Sequence, residues 1–132
     1  MNYKVDYHIH THYSDGTMSP VEVVRQYNDE EYDIISITDH DGIDGLNEAM
    51  IAGEALKIQV VPGVELSTEQ DSIELHILGY NFDPENEALR AKLKELREFR
   101  HERNKALIEK LTELGYPVNL EELEKQSKGK YV

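Results

Sequence analysis

The beginning of the chain alternates between apolar and polar residues. In the stretch "NYKVDYHIH" the two interleaved sets are Tyr3, Val5, Tyr7 and Ile9 and, between them, Lys4, Asp6, His8 and His10. A period of two is typical of a β-strand, because successive side chains of a strand point to opposite faces. The pattern therefore predicts a first strand that carries His8 and His10 on the same face.

The first helix is marked by the residues at its start. Ser19 can cap a helix, Pro20 suits the first helical position, and Glu22 lies where it can complete a capping box. We expect this helix to run to about Tyr32. A second helix is expected over residues 46–57, where apolar and small residues recur at three- and four-residue spacings.

Buried strands are predicted between and after these helices. The Ile-rich stretch "DIISIT" (33–38) has the composition of a strand that is buried on both faces. A second such strand, "IQVVPGVEL" (58–66), is interrupted by Pro62 and Gly63, and "SIELHILGY" (72–80) is a further candidate. Strands that alternate with helices at this spacing predict βαβ units and a parallel sheet.

The pattern changes after residue 80. Asp83 opens a long helical pattern that Gly115 ends. Leucines recur along residues 89–114, and we expect this stripe to pack as an ordinary helix face rather than as a partner-binding zipper. Arg100 and Arg103 interrupt the stripe, so an exposed or bent helix is expected near them.

The chain is therefore divided into two parts. Residues 1–80 form the β/α part, and residues 81–132 form a helical subdomain rich in Glu and Lys. Asn119 and Glu122 resemble the cap of a short final helix, and the end, "SKGKYV", is expected to be irregular.

The composition limits the classes of function that remain. With 132 residues, 39% of them hydrophobic, the chain can form one domain with a modest core. A formal net charge of −13 argues against nonspecific binding to a nucleic-acid backbone. Because there is no cysteine, a metal site would need imidazole and carboxylate ligands. The sequence shows no leader and no long apolar run, so we expect a cytoplasmic protein that does not enter the membrane.

Histidines and carboxylates lie at or near the ends of the predicted strands. They are His8, His10, Asp39, His40, Glu65 and His76. In parallel β/α folds the carboxyl ends of the strands converge on one face, where ligands bind. Imidazole suits divalent transition metals, and a carboxylate such as Glu65 can bridge two of them. The sequence therefore predicts a metal site at this face.

Each of these residues also has a simpler explanation. His8 and His10 could form a solvated strand face, and a single histidine such as His76 is often only hydrogen-bonded. The stretch "DHDG" could be a helix-capping turn, and Glu65 could be an exposed acid after a strand. His12 lies past the strand end and is expected beside the ligands rather than among them.

Four motifs together resemble the PHP (polymerase and histidinol phosphatase) domain family. They are "HIHTHYSDG", "ITDHDG", "PGVELST" and "ELHILGY", and they span essentially the whole chain. The resemblance implies an α/β fold, namely the amino-terminal part of a distorted (β/α)7 barrel with a helical insertion. It is closest to small bacterial enzymes that act on 3′,5′-nucleoside bisphosphates and on the 5′ ends of short RNA, because Asp15 stands where other branches have histidine.

The resemblance implies a metal-dependent phosphoesterase with three divalent ions, commonly manganese, with iron, zinc or magnesium as alternatives. The implied ligands are His8, His10, Asp15, His40, Glu65 and His76. His8, His10 and Glu65 would hold the first ion and serve catalysis. Glu65 would also bridge to a second ion held by His76. Asp15 and His40 would hold the third, and Asp39 would orient a ligand. The implied substrate is a small phosphorylated molecule, either a nucleotide or a short oligonucleotide.

Family members continue past a "GRPH"-like segment to a D-x-H motif that supplies three more ligands, whereas this sequence ends at Tyr131 and Val132. We therefore expect an incomplete barrel that favours self-association and is inactive as the 132-residue chain. Two other functions stay open. One is a catalytically silent metal-binding or interaction module. The other is a hydrolase of C–N bonds on the related amidohydrolase plan, although no candidate for a carboxylated lysine is found.

Overall fold

The computed structural model describes residues 2–119 together with residues 121 and 123. Its elements follow in the order β1 (Val5–Ile9), α1 (Pro20–Asp29), β2 (Ile34–Ile37), α2 (Leu46–Leu56), β3 (Gln59–Val60), β4 (Gly63–Gln70), β5 (Ile73–Tyr80) and α3 (Glu87–Glu113). Among these residues no helix is both long enough and apolar enough to cross a membrane.

The predicted parallel sheet is confirmed for the first three strands. β2 lies in the centre, with β1 on one side and β3 on the other, and both pairings are parallel. Ile35 and Ile37 of β2 are fully buried in the core. The other core residues come from β1, from both short helices and from the residue that precedes β3: Ile9, Val23, Val24, Leu46, Ala49 and Ile58. Burial of these side chains is the main favourable contribution to folding of this part.

The predicted capping box at the start of α1 is confirmed. The Ser19 hydroxyl accepts the backbone N–H of Glu22, and the Glu22 carboxylate accepts the backbone N–H of Ser19. The helix ends at Asp29, earlier than the expected end near Tyr32. The cause is local, because Glu31 adopts a left-handed conformation with φ of 60°.

The predicted interruption of the segment 58–66 at Pro62 is confirmed, but it divides the segment into two separate strands instead of one interrupted strand. The segment is split into β3 and β4 at residues 61 and 62, where Pro62 has no N–H to donate to a sheet. Gly63 then begins β4 close to β2. A Cβ atom at this position would lie 2.8 Å from the carbonyl oxygen of Ile37 and would collide with the Ser36 hydroxyl.

β5 does not extend the parallel sheet, which corrects the expectation that the predicted strands all run parallel. It pairs with β4 in an antiparallel hairpin, with Ser67 opposite His76. Only Asp71 and Ser72 connect the two strands, which is too short for a parallel crossover. Both residues have positive φ angles of 53° and 62°, as a two-residue hairpin turn requires.

The long helix α3 packs over only part of its length. It is capped by Asn86, whose side chain accepts the N–H of Leu89, rather than by the earlier Asp83. Leu93 is buried, but Leu107 and Leu114, beyond the arginines that interrupt the stripe, are more than half exposed, so the expected ordinary packing holds for only part of the helix. The chain leaves α3 at Gly115, which has a left-handed φ of 88°.

The expected barrel does not close within the described residues. The strands form one three-stranded and one two-stranded sheet, with β1 at an edge of the first. Several large apolar side chains of β1 and β5 are exposed, among them Val5, Tyr7, Ile73, Leu75 and Ile77. The expected self-association stays a prediction. At the start of the predicted final helix, the Asn119 side chain accepts the backbone N–H of Glu121. Most of that helix, including Glu122, and the "SKGKYV" end lie outside the described residues.

The close approach of β4 to β2 can be tested at Gly63. We expect Gly63→Ala to lower the free energy of unfolding by about 1–3 kcal/mol, because the methyl group forces the strands apart. Gly79→Ala is the matched control in the partner strand, since its Cβ would meet only Val64 at an ordinary 3.5 Å. That change should alter stability by no more than about 1 kcal/mol. Urea unfolding followed by circular dichroism measures both, and equal losses would contradict the role of Gly63.

Candidate metal centre

The Glu65 carboxylate lies at the centre of the candidate site. It is carried by β4 and is only 5% exposed. Its Oε2 atom is 3.0 Å from Nε2 of His8 and 3.0 Å from Nε2 of His10. Its Oε1 atom is 3.1 Å from Nδ1 of His76. His40 completes the ring of imidazoles, with its Nδ1 atom 3.6 Å from Oε2.

The first two histidines reach this point because of the alternation in β1. His8 in β1 and His10, one residue beyond its end, lie on the same side of the chain, and their ring centroids are 5.1 Å apart. The prediction of a strand face that carries both histidines is therefore confirmed. The face is not simply solvated, because both rings contact the same carboxylate oxygen.

Backbone hydrogen bonds bring His40 beside Glu65. The chain beyond β2 continues as a short parallel bridge to β4, in which the N–H of Asp41 donates to the Glu65 carbonyl at 2.9 Å. The N–H of Glu65 donates in turn to the Asp39 carbonyl at 3.2 Å. His40 then stacks on His10, with ring centroids 4.7 Å apart. The position of His40 is thus determined by the sheet itself.

The environment of His40 suits a metal ligand. Burial lowers the pKa of its imidazole, although Glu65 acts in the opposite direction, so the neutral form that binds metals is favoured. Its Nδ1 atom is buried and has no hydrogen-bond partner among the described residues. A buried polar atom without a partner is costly, and a bound cation would remove that cost. The donor set of imidazoles and carboxylates therefore fits a divalent transition metal.

Asp15 lies in the loop after β1 and is mostly exposed. Its Oδ1 atom is 3.2 Å from Nδ1 of His10, and its Oδ2 atom is 3.5 Å from Nε2 of His40. The loop can turn here because Gly16 lies against the backbone of His10 and Thr11, where a Cβ atom would collide. Asp15 therefore faces one ring nitrogen of His10 and one of His40, while the other nitrogen of each ring faces Glu65.

Asp39 holds this loop in place. Its buried carboxylate accepts the backbone N–H and the hydroxyl of Thr11, at 2.7 and 2.6 Å, and the hydroxyl of Ser14 at 2.6 Å. The Ser14 oxygen is also 3.3 Å from Nδ1 of His10. Thr11 and Ser14 were not among the residues singled out in the sequence. The only available signal was that two small hydroxyl residues follow the histidines.

His76 joins the site by a route that differs from the predicted one. The parallel-strand argument placed it with the other strand ends, but the antiparallel hairpin is what presents it beside Glu65. Its ring meets that of His40 edge to face, at 5.0 Å between centroids. The second ring nitrogen, Nε2, faces the exposed Glu74 carboxylate at 3.3 Å.

A buried carboxylate that the sequence did not single out links the site to α3. Asp41 is 1% exposed and accepts the backbone N–H of Ser67 at 2.8 Å. Its other oxygen lies 3.5 Å from Arg100, which also donates to the Ser67 hydroxyl. Arg97 donates to the Asp41 carbonyl. The arginine at position 100, which interrupts the leucine stripe, therefore faces the hairpin.

The structure brings all six predicted ligands together, in three overlapping groups. These are His8, His10 and Glu65; His10, Asp15 and His40; and His40, Glu65 and His76. Within each group the ligand atoms lie within 4.8 Å of one another. Donors that share one ion at about 2.0–2.2 Å are themselves about 3–3.5 Å apart. The separations around Glu65 are of this size.

The imidazoles also determine the charge state of Glu65. Burial alone would raise the pKa of its carboxyl, but the hydrogen bond from His8 and the favourable electrostatic interaction with the surrounding imidazoles outweigh burial, and the pKa lies below its ordinary value. The carboxylate is therefore ionised at neutral pH. The other two histidines lie apart from these groups. His12 packs against Tyr13, and His101 is exposed on α3.

The fold and this cluster define an α/β protein with a candidate metal centre. The chain belongs to the PHP domain family, which matches residues 6–128, and the resemblance predicted from the four motifs is thereby confirmed.

Similar proteins include a named exoribonuclease, a named phosphatase and a structure described as a phosphoesterase. The chain is 35% identical over 117 residues to a 5′-3′ exoribonuclease of Haemophilus influenzae, covering 89% of this chain and 43% of that protein. It is 36% identical over 111 residues to a 3′,5′-nucleoside bisphosphate phosphatase of Chromobacterium violaceum, covering 84% and 39%. A Bifidobacterium adolescentis structure described as a metal-dependent phosphoesterase superposes with a TM-score of 0.87 at 28% identity, covering 98% and 45%. The chain thus spans less than half the length of each of these relatives.

The role of Asp39 as an anchor can be measured through stability. We expect Asp39→Asn to lower the free energy of unfolding by about 1–3 kcal/mol, because the new amide group faces donors and leaves at least one of them unpaired. Asp71→Asn is the control, since it makes the same change in an exposed turn whose left-handed conformation asparagine tolerates. It should change stability by less than about 0.5 kcal/mol. Chemical unfolding of both variants checks this, and an unaffected Asp39→Asn protein would contradict the anchoring role.

Proposed function

We propose that the protein is a metal-dependent phosphoesterase that acts on nucleotides or short oligonucleotides. The proposal rests on the orientation of the Glu65 carboxylate. One carboxylate oxygen faces His8 and His10, while the other faces His76. A carboxylate whose two oxygens face two separate sets of imidazoles is suited to bridge two ions.

The ligands are assigned to ions as follows. His8, His10 and Glu65 hold the first ion, Glu65 and His76 the second, and Asp15 and His40 the third, with manganese the expected metal. The three overlapping groups of donors support more than one ion, because they cannot all share a single position; since they share His10, His40 and Glu65, the second and third ions each receive two ligands from this chain. Bound ions of this kind lower the pKa of a coordinated water and neutralise charge on a phosphoryl group.

The residues around the site keep these donor atoms in position before ions bind. Burial keeps the imidazole of His40 in the neutral form. Asp39 fixes the loop that carries Asp15 and supports His10 through the Ser14 hydroxyl. The bridge between the end of β2 and β4 sets the distance between His40 and Glu65. Such support reduces the reorganisation needed when ions and substrate bind.

The substrate class is proposed from the relatives and from charge. The two curated relatives are named for action on RNA and on nucleoside bisphosphates, both of which are phosphate esters. The net charge of −13 disfavours long nucleic acids held by their backbone, so a small nucleotide or a short oligonucleotide end is the better candidate. Because this chain spans less than half of those relatives, the proposal concerns a protein of their length, to which this chain contributes six ligands.

The assignment of ligands is tested with three substitutions. In a protein of the relatives' length, His10→Ala and Glu65→Ala should each reduce manganese-dependent release of phosphate by at least about 100-fold, because loss of even a supporting residue costs about 10- to 100-fold in metal affinity. His101→Ala should leave the rate nearly unchanged, since that histidine is exposed on α3. Release of inorganic phosphate from a nucleoside 3′,5′-bisphosphate is the measurement. Ordinary turnover by Glu65→Ala at saturating manganese would contradict the bridging role.

The dependence of turnover on metal distinguishes a metal-dependent enzyme from a catalytically silent module. We expect the 132-residue chain to hydrolyse the bisphosphate no faster than its own His8→Ala variant, and a version continued through the D-x-H motif to release phosphate until a chelator is added. The resemblance assigns one missing ligand to each ion, which explains the difference. Chelator-sensitive turnover by the short chain would show that the ligand count is wrong. Absence of turnover by the longer protein with bound manganese would favour the silent module.

A further inference from the structure

The imidazole of His76 lies between two carboxylates. Its Nδ1 atom is 3.1 Å from Glu65, on the side of the candidate metal centre. Its Nε2 atom is 3.3 Å from Glu74, which stands two residues earlier in β5 and therefore on the same face of the strand. The ring therefore has a carboxylate on each side: the buried Glu65 within the site and the exposed Glu74 at its rim.

The two ring nitrogens of a ligating histidine have different tasks. One offers its lone pair to the ion, and the other carries a proton that it donates to a carboxylate, a carbonyl group or water. Such a donated hydrogen bond fixes the tautomer, orients the ring and makes the ligating nitrogen more basic. At His76 only Nδ1 faces the group formed with His40 and Glu65, so Nε2 is the nitrogen left for the outer hydrogen bond.

We infer that Glu74 is a positioning residue that holds His76 with Nε2 protonated, so that Nδ1 is the atom presented to the ion. The inference rests on the proposed metal site and assigns a task to a residue outside the predicted ligand set. In this arrangement Glu74 is hydrogen-bonded to His76 rather than placed among the predicted ligands. It acts on the ion through His76.

The long helix completes this arrangement. Arg103 of α3 lies 3.7 Å from the same Oε1 atom of Glu74 that faces His76. One turn earlier, Arg100 contacts Ser67, the residue opposite His76 in the hairpin. The helix therefore lies along the hairpin and contributes a cation behind Glu74. Because both side chains of the Arg103–Glu74 pair are more than half exposed, its influence is expected to be smaller than that of Glu74.

The tautomer of His76 is the direct test. Zinc is the probe because it is diamagnetic, and long-range ¹H–¹⁵N correlation spectra of the histidine rings distinguish Nδ1 from Nε2. In the zinc-loaded protein of the relatives' length, which supplies the remaining ligands, we expect His76 to carry its proton on Nε2 and to show the metal-induced shift at Nδ1. A metal-induced shift at Nε2 would overturn the inference.

Metal affinity supplies the second readout. Glu74→Ala should weaken zinc binding at His76 by about 10- to 100-fold, and Glu74→Gln, which keeps an oxygen acceptor, should recover part of that loss. Glu69→Ala is the matched control, because it removes the same charge from the residue directly opposite Glu74 in the hairpin. It should leave the affinity within about twofold. Arg103→Ala should weaken binding by less than about fivefold.

The outcomes separate this inference from the function on which it rests. If zinc shifts none of the rings of His8, His10, His40 and His76, the metal site itself is wrong and the inference falls with it. If zinc binds His76 with the same tautomer and affinity in Glu74→Ala as in the unaltered chain, only the role of Glu74 is overturned. Equal losses in Glu69→Ala and Glu74→Ala would show a general effect of charge, and would also overturn it.

Discussion

One buried carboxylate determines how the parts of this molecule meet. Glu65 is almost completely removed from water, and a carboxylate in that position needs hydrogen bonds or opposite charge to remain ionised. Imidazoles from three separate segments provide them: the end of β1, the turn after β2, and β5. The three-stranded sheet and the hairpin are also joined by the short backbone bridge at His40, by the close approach of Gly63 to β2, and by the hydrogen bond that the Tyr80 hydroxyl donates to the Tyr7 carbonyl. The carboxylate therefore ties two sheets together at the same point where it gathers potential ligands.

The sequence predicted those features that depend on local periodicity or local chemistry. The two-residue alternation of β1 placed His8 and His10 on one face, and the spacing of Ser19 and Glu22 identified the start of α1. The turn "DHDG" was recognised as chemically important, but the sequence could not show that Asp41 would be buried. That depends on Arg100, a residue 59 positions away, and such pairing leaves no local pattern.

The hairpin shows why strand partners were harder to predict than strands. An apolar run such as residues 58–66 indicates burial without indicating which strand lies beside it. The turn between β4 and β5 also has no glycine, although Asp71 and Ser72 both adopt left-handed conformations. His76 was assigned to the right cluster for an incomplete reason, since antiparallel pairing rather than a shared parallel edge brings it there. Similarly, the leucine spacing in α3 predicted a helix but not how much of it would be covered.

Charge couples metal binding to substrate binding in the proposed function. A phosphate ester that approaches this chain meets a protein of net charge −13, with Asp15 and Glu65 in the site itself. Because salt at physiological concentration screens charges over about 8 Å, the nearby carboxylates repel the ester more strongly than the distant ones do. One divalent ion balances both of them, and a second makes the site positive. Under the proposed function, metal and substrate therefore bind in a linked manner, each increasing the affinity for the other. The imidazoles make this possible, because they contribute donors without contributing further negative charge.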